Sequence, residues 1–291
     1  MSNRISKLVH ALPAASTAVC VTPSAWVSLG LTGLGKGAYS TFSGLERVFA
    51  ASASPSAWVF LGPPGVGKGT YSKRIAESLG MSHIAAGDLV RDEIKRGTTL
   101  GKEMQEVVNS GQLLSDSLIL KVLRQRMVEE SSSGVTKFLL DGFPRTAPQA
   151  QALDDIVDVQ LAVNLDLRED VLVDKCLGRR LCSKCGGNFN VADINVPTGE
   201  HGESAIVMPP LNPPDECLQY MEQRDDDNTE TILKRLEVYK ASAKPVEDFY
   251  ADRGMLIDYE ITGGIPETLP RLMDTLRPHI IQMSSSEAEV A

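Results

Sequence analysis

A lysine set behind spaced glycines, a carboxylate closing an apolar run and five scattered arginines are the residues of this chain suited to handling phosphate. Gly62-Pro63-Pro64-Gly65-Val66-Gly67-Lys68-Gly69-Thr70 has Gly-x-x-x-x-Gly-Lys spacing. Glycines so spaced let backbone N–H groups converge on phosphate oxygens, and the N-terminus of a following helix adds positive potential. Lys68 supplies a mobile cation, and the Thr70 hydroxyl would face a metal-bound phosphate. Asp141 closes the run Lys137-Phe138-Leu139-Leu140 and precedes Gly142-Phe143-Pro144-Arg145. Arg91, Arg145, Arg179, Arg224 and Arg235 lie far apart in sequence, at element ends or on polar helix faces. The planar guanidinium binds phosphate bidentately and keeps its charge. Such a set suits phosphoryl transfer, which needs positioning and neutralisation rather than a nucleophilic side chain.

The elements that must position these groups alternate. Ala57–Leu61 reads as a buried parallel strand and Tyr71–Leu79 as the helix after the loop. Ser82–Ala86 predicts a short strand ending at Gly87-Asp88, and polar helices follow through Lys95 and over Gly101–Ser110. Ser115 is placed to N-cap a helix whose Leu118, Ile119, Val122, Leu123 and Met127 share one face. Lys137–Asp141 and Val159–Leu165 predict strands, and Gln149–Ile156 and Glu169–Leu181 helices. Thr229–Arg253 predicts one long helix or two, Met255–Ile261 the last strand, and Ile265–Arg277 a terminal helix before a frayed acidic tail, Ser284–Ala291. This order implies an α/β fold, a parallel sheet with helices on both faces and ligands at the carboxyl ends of its strands. The phosphate loop, Gly87–Arg91 and Asp141 would emerge together on that edge.

At 291 residues, with 42% hydrophobic and 23% charged residues, the chain can bury a large core. A net charge of −9 and a pI near 5.1 argue against a nucleic-acid or anionic-membrane surface. No apolar run approaches the roughly 18 residues of a membrane span. Five cysteines scattered through a long chain do not form a disulfide framework and indicate a reducing compartment. Residues 1–54 differ from the rest: Arg4, Lys7, Lys36 and Arg47 face a single acid, Glu46, in a Ser-, Thr- and Ala-rich stretch. That composition predicts an organelle transit peptide, the bland alternative being a disordered tail. Within it, Ser24–Thr41 repeats Ser56–Lys73 at twelve of eighteen positions. Ala38 stands where the second copy has Thr70, Leu31-Thr32 replaces Pro63-Pro64, and too little chain follows for the next strand, so the first copy reads as a degenerate phosphate loop.

Gly62–Thr70, Gly87-Asp88-Leu89-Val90-Arg91, Leu140-Asp141-Gly142-Phe143-Pro144-Arg145-Thr146 with Gln149, Gly178-Arg179-Arg180 and Arg224-Asp225-Asp226-Asp227 together resemble the adenylate kinases. The likeness runs from about Ala57 to Arg277. The long insertion is similar to the lid of the family's long form, and Leu-Cys-Ser-Lys-Cys-Gly-Gly and Gly-Gly-Ile-Pro-Glu resemble plastid members from plants. The resemblance implies a P-loop five-stranded parallel sheet with core segments 55–85, 116–178 and 225–280, a nucleoside-monophosphate insert 86–115, a lid 179–224 and a tail 281–291. It implies hinges near Gly87 and Gly178. It implies magnesium-dependent transfer from ATP to AMP, with Lys68, Asp141, Arg145, Arg179, Arg224 and Arg235 catalytic. ATP would lie on Gly65, Val66, Gly67, Lys68, Gly69, Thr70, Arg179 and Ile265. AMP would lie on Ala86, Arg91, Leu113, Leu114, Ser115, Gly142, Phe143, Pro144, Arg145, Gln149, Arg224 and Arg235. Asp141 would orient waters around the magnesium ion.

Some positions depart from the family pattern. Ala86 stands where adenylate kinases usually have threonine and UMP/CMP kinases often have alanine, so a pyrimidine acceptor is the alternative. Lys175 replaces an arginine that often stacks on the ATP base, and an ammonium loses that planar contact. Cys182-x-x-Cys185 is half of a zinc motif, but Cys217 has no cysteine three residues away; a lid held by packing and hydrogen bonds is expected, without zinc. A signalling GTPase would need Asn-Lys-x-Asp, and Asn164-Leu165-Asp166 lacks the lysine. An inactive nucleotide-binding scaffold is a further alternative, opposed by Lys68, Asp141 and the arginines. The expected partners are ATP and AMP, with no nucleic acid and no membrane, for a monomer in the chloroplast stroma or, alternatively, the mitochondrion.

Overall fold

The computed structural model describes residues 55–200 and 202–290. The transit-peptide reading of residues 1–54 and the first loop copy lie outside them. Strand β1 (Ser56–Leu61) runs into the phosphate loop and helix α1 (Lys68–Leu79). There follow β2 (Ser82–Ala85), α2 (Ala86–Lys95), α3 (Thr99–Asn109), α4 (Asp116–Ser131), β3 (Lys137–Asp141), α5 (Ala147–Asp154), β4 (Asp158–Asp166) and α6 (Glu169–Leu177). Five short strands come next: β5 (Arg179–Cys182), β6 (Asn188–Asn190), β7 (Ile194–Val196), β8 (Ile206–Met208) and, after a 3₁₀ turn at Asp215–Tyr220, β9 (Met221–Glu222). Helix α7 (Thr229–Ala251), β10 (Leu256–Glu260) and α8 (Ile265–Val290) close the chain.

The main sheet has the order β10-β4-β1-β3-β2, every pair parallel, as the strand–helix alternation predicts. Both of its faces are covered at the centre, so β1 is apolar from Ala57 to Leu61, whereas the edge strands β2 and β10 carry polar residues. Along β1, Trp58 and Phe60 enter one core layer, while Ala57, Val59 and Leu61 enter the other. The first layer gathers Ile75 of α1, Leu172 of α6 and Leu276 of α8; the second gathers Leu123 of α4, Leu153 of α5 and Tyr250 of α7. Alternation in β1 thus clamps the strand between two helical layers and fixes where Gly62 leaves the sheet.

Several boundaries differ from the sequence expectation. Helix α6 stops at Leu177 rather than Leu181, because Arg179–Cys182 is drawn into antiparallel pairing with β6 and β9. The long insertion contains two small sheets, β6-β5-β9 and β7-β8. Ile194, Ile206 and Met208 of the second sheet join the first core layer, and Val207 bridges to Gly263. Ala86 opens α2 instead of ending β2. Thr229–Ala251 is one helix that carries Pro245 inside it. The terminal helix extends to Val290, so the stretch expected as a frayed tail is helical; Leu269, Leu272, Met273, Leu276, Ile280 and Met283 continue its buried stripe, and neither glycine nor proline follows Pro278 to stop it. Ser115 occupies the N-cap position of α4, but its side chain makes no cap hydrogen bond. No helix among the described residues is long and apolar enough to cross a membrane.

Candidate functional site

At the carboxyl edge of the sheet the loop after β1 folds under tight steric control. Gly62 has φ 131°, and a Cβ there would lie 2.3 Å from the Leu165 carbonyl oxygen. Gly65 has φ 89°, and its Cβ would meet the Leu172 carbonyl at 2.7 Å and the Cys176 sulfur at 2.8 Å. Only glycine fits both the left-handed backbone and this approach to β4 and α6. Lys68 opens α1, and its Nζ donates to the carbonyls of Gly62 at 2.7 Å and Pro63 at 2.9 Å. Burial pulls the Lys68 pKa down to about 8, against the opposing attraction of Asp141. Gly65, Gly67, Gly69 and Thr70 line the cleft, whereas Val66 is 1% exposed and packs into the core.

Asp141 ends β3 beside Phe60 and Ala85, and its Oδ2 lies 3.0 Å from where a Gly69 Cβ would stand. Burial raises the Asp141 pKa, while Lys68 and His83 pull it down. His83 is a neighbour the sequence reading passed over. Its Nε2 lies 2.9 Å from Ser72 Oγ and 3.8 Å from Asp141 Oδ2, and burial lowers its pKa. The signal was available in β2, where strand alternation puts His83 on the same side as Ala85, itself paired with Asp141.

All five arginines line one cleft of 1280 Å³. Arg179 donates from Nε to Asp227 at 2.8 Å and pairs again through Nη2; the Asp227 side chain is fully buried. Burial alone would lower the Arg179 pKa, but Asp227 raises it. Arg235 pairs with the buried Asp226. Among the described residues Arg224 has no such clamp and its buried Nε no hydrogen-bond partner; burial, with Arg179 and Arg91 nearby, lowers its pKa to about 10. Arg145 donates from Nε to the Gly142 carbonyl at 2.8 Å. Desolvation within the cleft, then the repulsion of Arg235 and Arg91, lowers its pKa, although the side chain stays exposed to the open cleft. Arg91 pairs with Asp88 one helical turn earlier. Nothing in the sequence pointed to Asp227 as the partner of an arginine 48 residues away.

The cleft is also lined by Ala86, Leu113, Leu114, Gly142, Phe143, Pro144, Gln149 and Ile265. The Phe143–Pro144 peptide is cis. Gln149 is 2% exposed, and both ends of its amide are engaged: Oε1 accepts from the Arg145 backbone N–H at 2.7 Å, and Nε2 donates to Asp116 at 2.7 Å. It braces the turn that presents Arg145. Ser115 is not among the residues that line the cleft.

Beyond β5, the sulfurs of Cys182, Cys185 and Cys217 lie within 4.8 Å of one another. Among the described residues this cluster has three metal-type ligands, one short of a closed tetrahedral zinc site. Hydrogen bonds hold the same corner: Ser183 N to Tyr220 O at 2.9 Å and Cys182 N to Gly187 O at 2.9 Å.

A phosphate cradle at a helix N-terminus, a carboxylate beside it and converging arginines do the work of placing polyanions and neutralising charge as it moves between them. The fold and this site define a P-loop phosphoryl-transfer protein. The sequence profile of the family described as "Adenylate kinase" matches residues 60–255. The chain is 45% identical over 262 residues to the probable adenylate kinase 1, chloroplastic, of Oryza sativa subsp. japonica, covering 90% of this chain and 76% of that one. It is 50% identical over 253 residues to an adenylate kinase of Solanum tuberosum, covering 86% and 76%. It is 45% identical over 252 residues to the adenylate kinase 1, chloroplastic, of Arabidopsis thaliana, covering 87% and 77%. The chain belongs to the adenylate kinase family, and with it to the nucleoside monophosphate kinases.

Proposed function

We propose that this chain moves the terminal phosphoryl group of ATP to AMP, reversibly giving two ADP. The observation that carries the reading is the convergence of five arginines on one cleft, where Arg235 and Arg91 help to depress the Arg145 pKa. A single nucleotide does not need so many cations around its phosphates. Two polyanions brought end to end do.

In this reading the loop Gly65–Thr70 and Lys68 hold the triphosphate, and Ile265 supports its base. Arg91 and Arg145 hold the monophosphate. Arg179, Arg224 and Arg235 surround the transferring group, with Asp227 and Asp226 fixing two of them. Gln149 reads the acceptor base by exchanging its bond to Asp116 for one to the adenine edge. The cleft suits a hard divalent cation: Asp141 is a carboxylate held protonation-prone by burial, a state a cation relieves, and the Thr70 hydroxyl lines the same wall. Magnesium entering with ATP would be held by Asp141 through water and by Thr70, and it would neutralise phosphate charge. Segments 86–115 and 179–224 act as the moving inserts, closing to exclude water that would otherwise hydrolyse ATP.

The plant relatives whose names carry "chloroplastic", together with the basic, acid-poor residues 1–54, support action in the chloroplast stroma. Import of a fusion of residues 1–54 into isolated chloroplasts and mitochondria checks the location. The function is tested by a coupled assay with ATP and magnesium against AMP, UMP, CMP and GMP in turn. AMP is expected to be the preferred acceptor. Turnover with UMP or CMP and none with AMP would overturn the acceptor, and Ala86 would be the residue to blame.

A further inference from the structure

The three lid cysteines form a cluster that phosphoryl transfer does not use. Cys185 is exposed, and its sulfur lies 3.6 Å from that of the buried Cys217. Cys182, also buried, completes the group within 4.8 Å. Cys182 closes β5, and Cys217 sits in the 3₁₀ turn that leads into β9, the partner strand of β5. One accessible thiol is thus backed by two sheltered ones, at the place where the two arms of segment 179–224 meet. That is the arrangement thiol–disulfide exchange requires, with an entry sulfur open to solvent and a resolving sulfur behind it.

We propose that Cys185 and Cys217 are a reversible disulfide-forming site, whose co-reactant is a low-molecular-weight disulfide. The Cys185 thiolate attacks one sulfur of the small disulfide. That S–S bond breaks, one small thiolate leaves and takes a proton, and Cys185 carries a mixed disulfide. The Cys217 thiolate then attacks the Cys185 sulfur and expels the second small thiol. The two cysteines have together lost two protons and two electrons, and the small disulfide has been reduced to two thiols. Cys182 lies close enough to Cys217 to exchange into the bond and release Cys185. The cross-link joins positions 32 residues apart and ties the turn after β5 to the turn before β9. It stiffens the base from which Arg179 and Arg224 project while lying wholly within the segment that moves, so it leaves closure over the cleft unobstructed.

The test is to incubate the reduced full chain with oxidised glutathione, alkylate it, and map its peptides. The expected result is a peptide linking Cys217 to Cys185, or to Cys182 after exchange, with two hydrogens lost, no glutathione retained, and full reversal by dithiothreitol. Oxidised protein should also show a higher unfolding temperature and slower proteolysis within 179–224, because the cross-link restricts the opened segment. Cys217→Ser should trap glutathione on Cys185, and Cys185→Ser should lose the reaction. Glutathione retained on Cys185 of the unaltered chain beside a free Cys217 would overturn the proposal. So would three thiols that do not react, or stoichiometric zinc shielding all three in protein purified without added metal.

Discussion

The two ways this cleft holds its arginines differ sharply. Arg179 and Arg235 are each seized by a buried carboxylate, Asp227 and Asp226, on the turn that leads into α7. Arg145 and Arg224 have no carboxylate clamp; Arg145 rests on a backbone carbonyl, Arg224 leaves a buried Nε unpaired, and other arginines press on both. A clamped guanidinium is positioned before substrate arrives, but part of its charge is already answered. An unclamped one keeps its charge for a phosphate, and the repulsion of neighbouring arginines is an electrostatic cost that an anion removes. The structure thus holds two arginines by carboxylates and leaves two without one, and a division of labour between them is what the following experiments test.

The largest effect expected from this division comes from the unclamped set. Arg145→Ala should lower turnover about 10³-fold or more, in the range of arginines that stabilise transferring phosphoryl groups. A steady-state loss smaller than about tenfold would break the comparison at its strongest point. Asp227→Ala should act differently, releasing Arg179 and leaving it poorly paired. Denaturant unfolding should show a loss of about 3 kcal/mol, as for removal of one partner from a buried pair, and turnover should fall only about 10- to 100-fold through misplacement.

A smaller effect follows from Lys68. The ammonium is the form that binds phosphate, and burial lowers its pKa to about 8. The charge is therefore present below that pH and lost as pH rises through it. Triphosphate affinity of the free protein should weaken about tenfold per unit above pH 8, read by titration calorimetry, and Lys68→Arg should flatten that limb. In the absence of nucleotide the sign reverses for stability. Between about 8 and 10.5 the unfolded chain keeps a proton that the folded chain has lost, so folding gains as pH rises. The smallest effect concerns the brace beneath the unclamped set. Asp116→Ala removes the acceptor of Gln149 and should cost about 1 kcal/mol of stability, while freeing the amide for the acceptor base should lower the acceptor KM with little change in kcat.

What the sequence revealed follows the same line between local and distant causes. The phosphate loop, Asp141 at a strand end and the five-stranded parallel sheet are written in short windows: an apolar run, a turn of glycines, a helical stripe. The Val66 side chain packs into the core and Ser115 stands outside the cleft lining, because membership of a motif does not say which way a side chain faces. The strands β5 to β9 were not legible, since runs of two to four residues carry too little alternation to tell strand from loop, and β5 exists only through its partners. Residues 178–181 therefore looked like the end of a helix. The clamp of Arg179 by Asp227, 48 residues away, and the bond of Gln149 to Asp116, 33 residues away, are long-range pairings without any local signature. The elements were readable, but the way the site braces itself had to be seen.

Single-turnover phosphoryl transfer, measured side by side for the unaltered chain, Arg145→Ala and Asp227→Ala at saturating ATP, magnesium and AMP, tests the division most directly. The unclamped variant should be slower than the clamp variant by at least about tenfold, because it removes a charge from the site outright rather than the alignment of a charge that remains. Equal rates, or a slower Asp227→Ala, would show that the carboxylate clamps and not the unanswered arginines carry the chemistry.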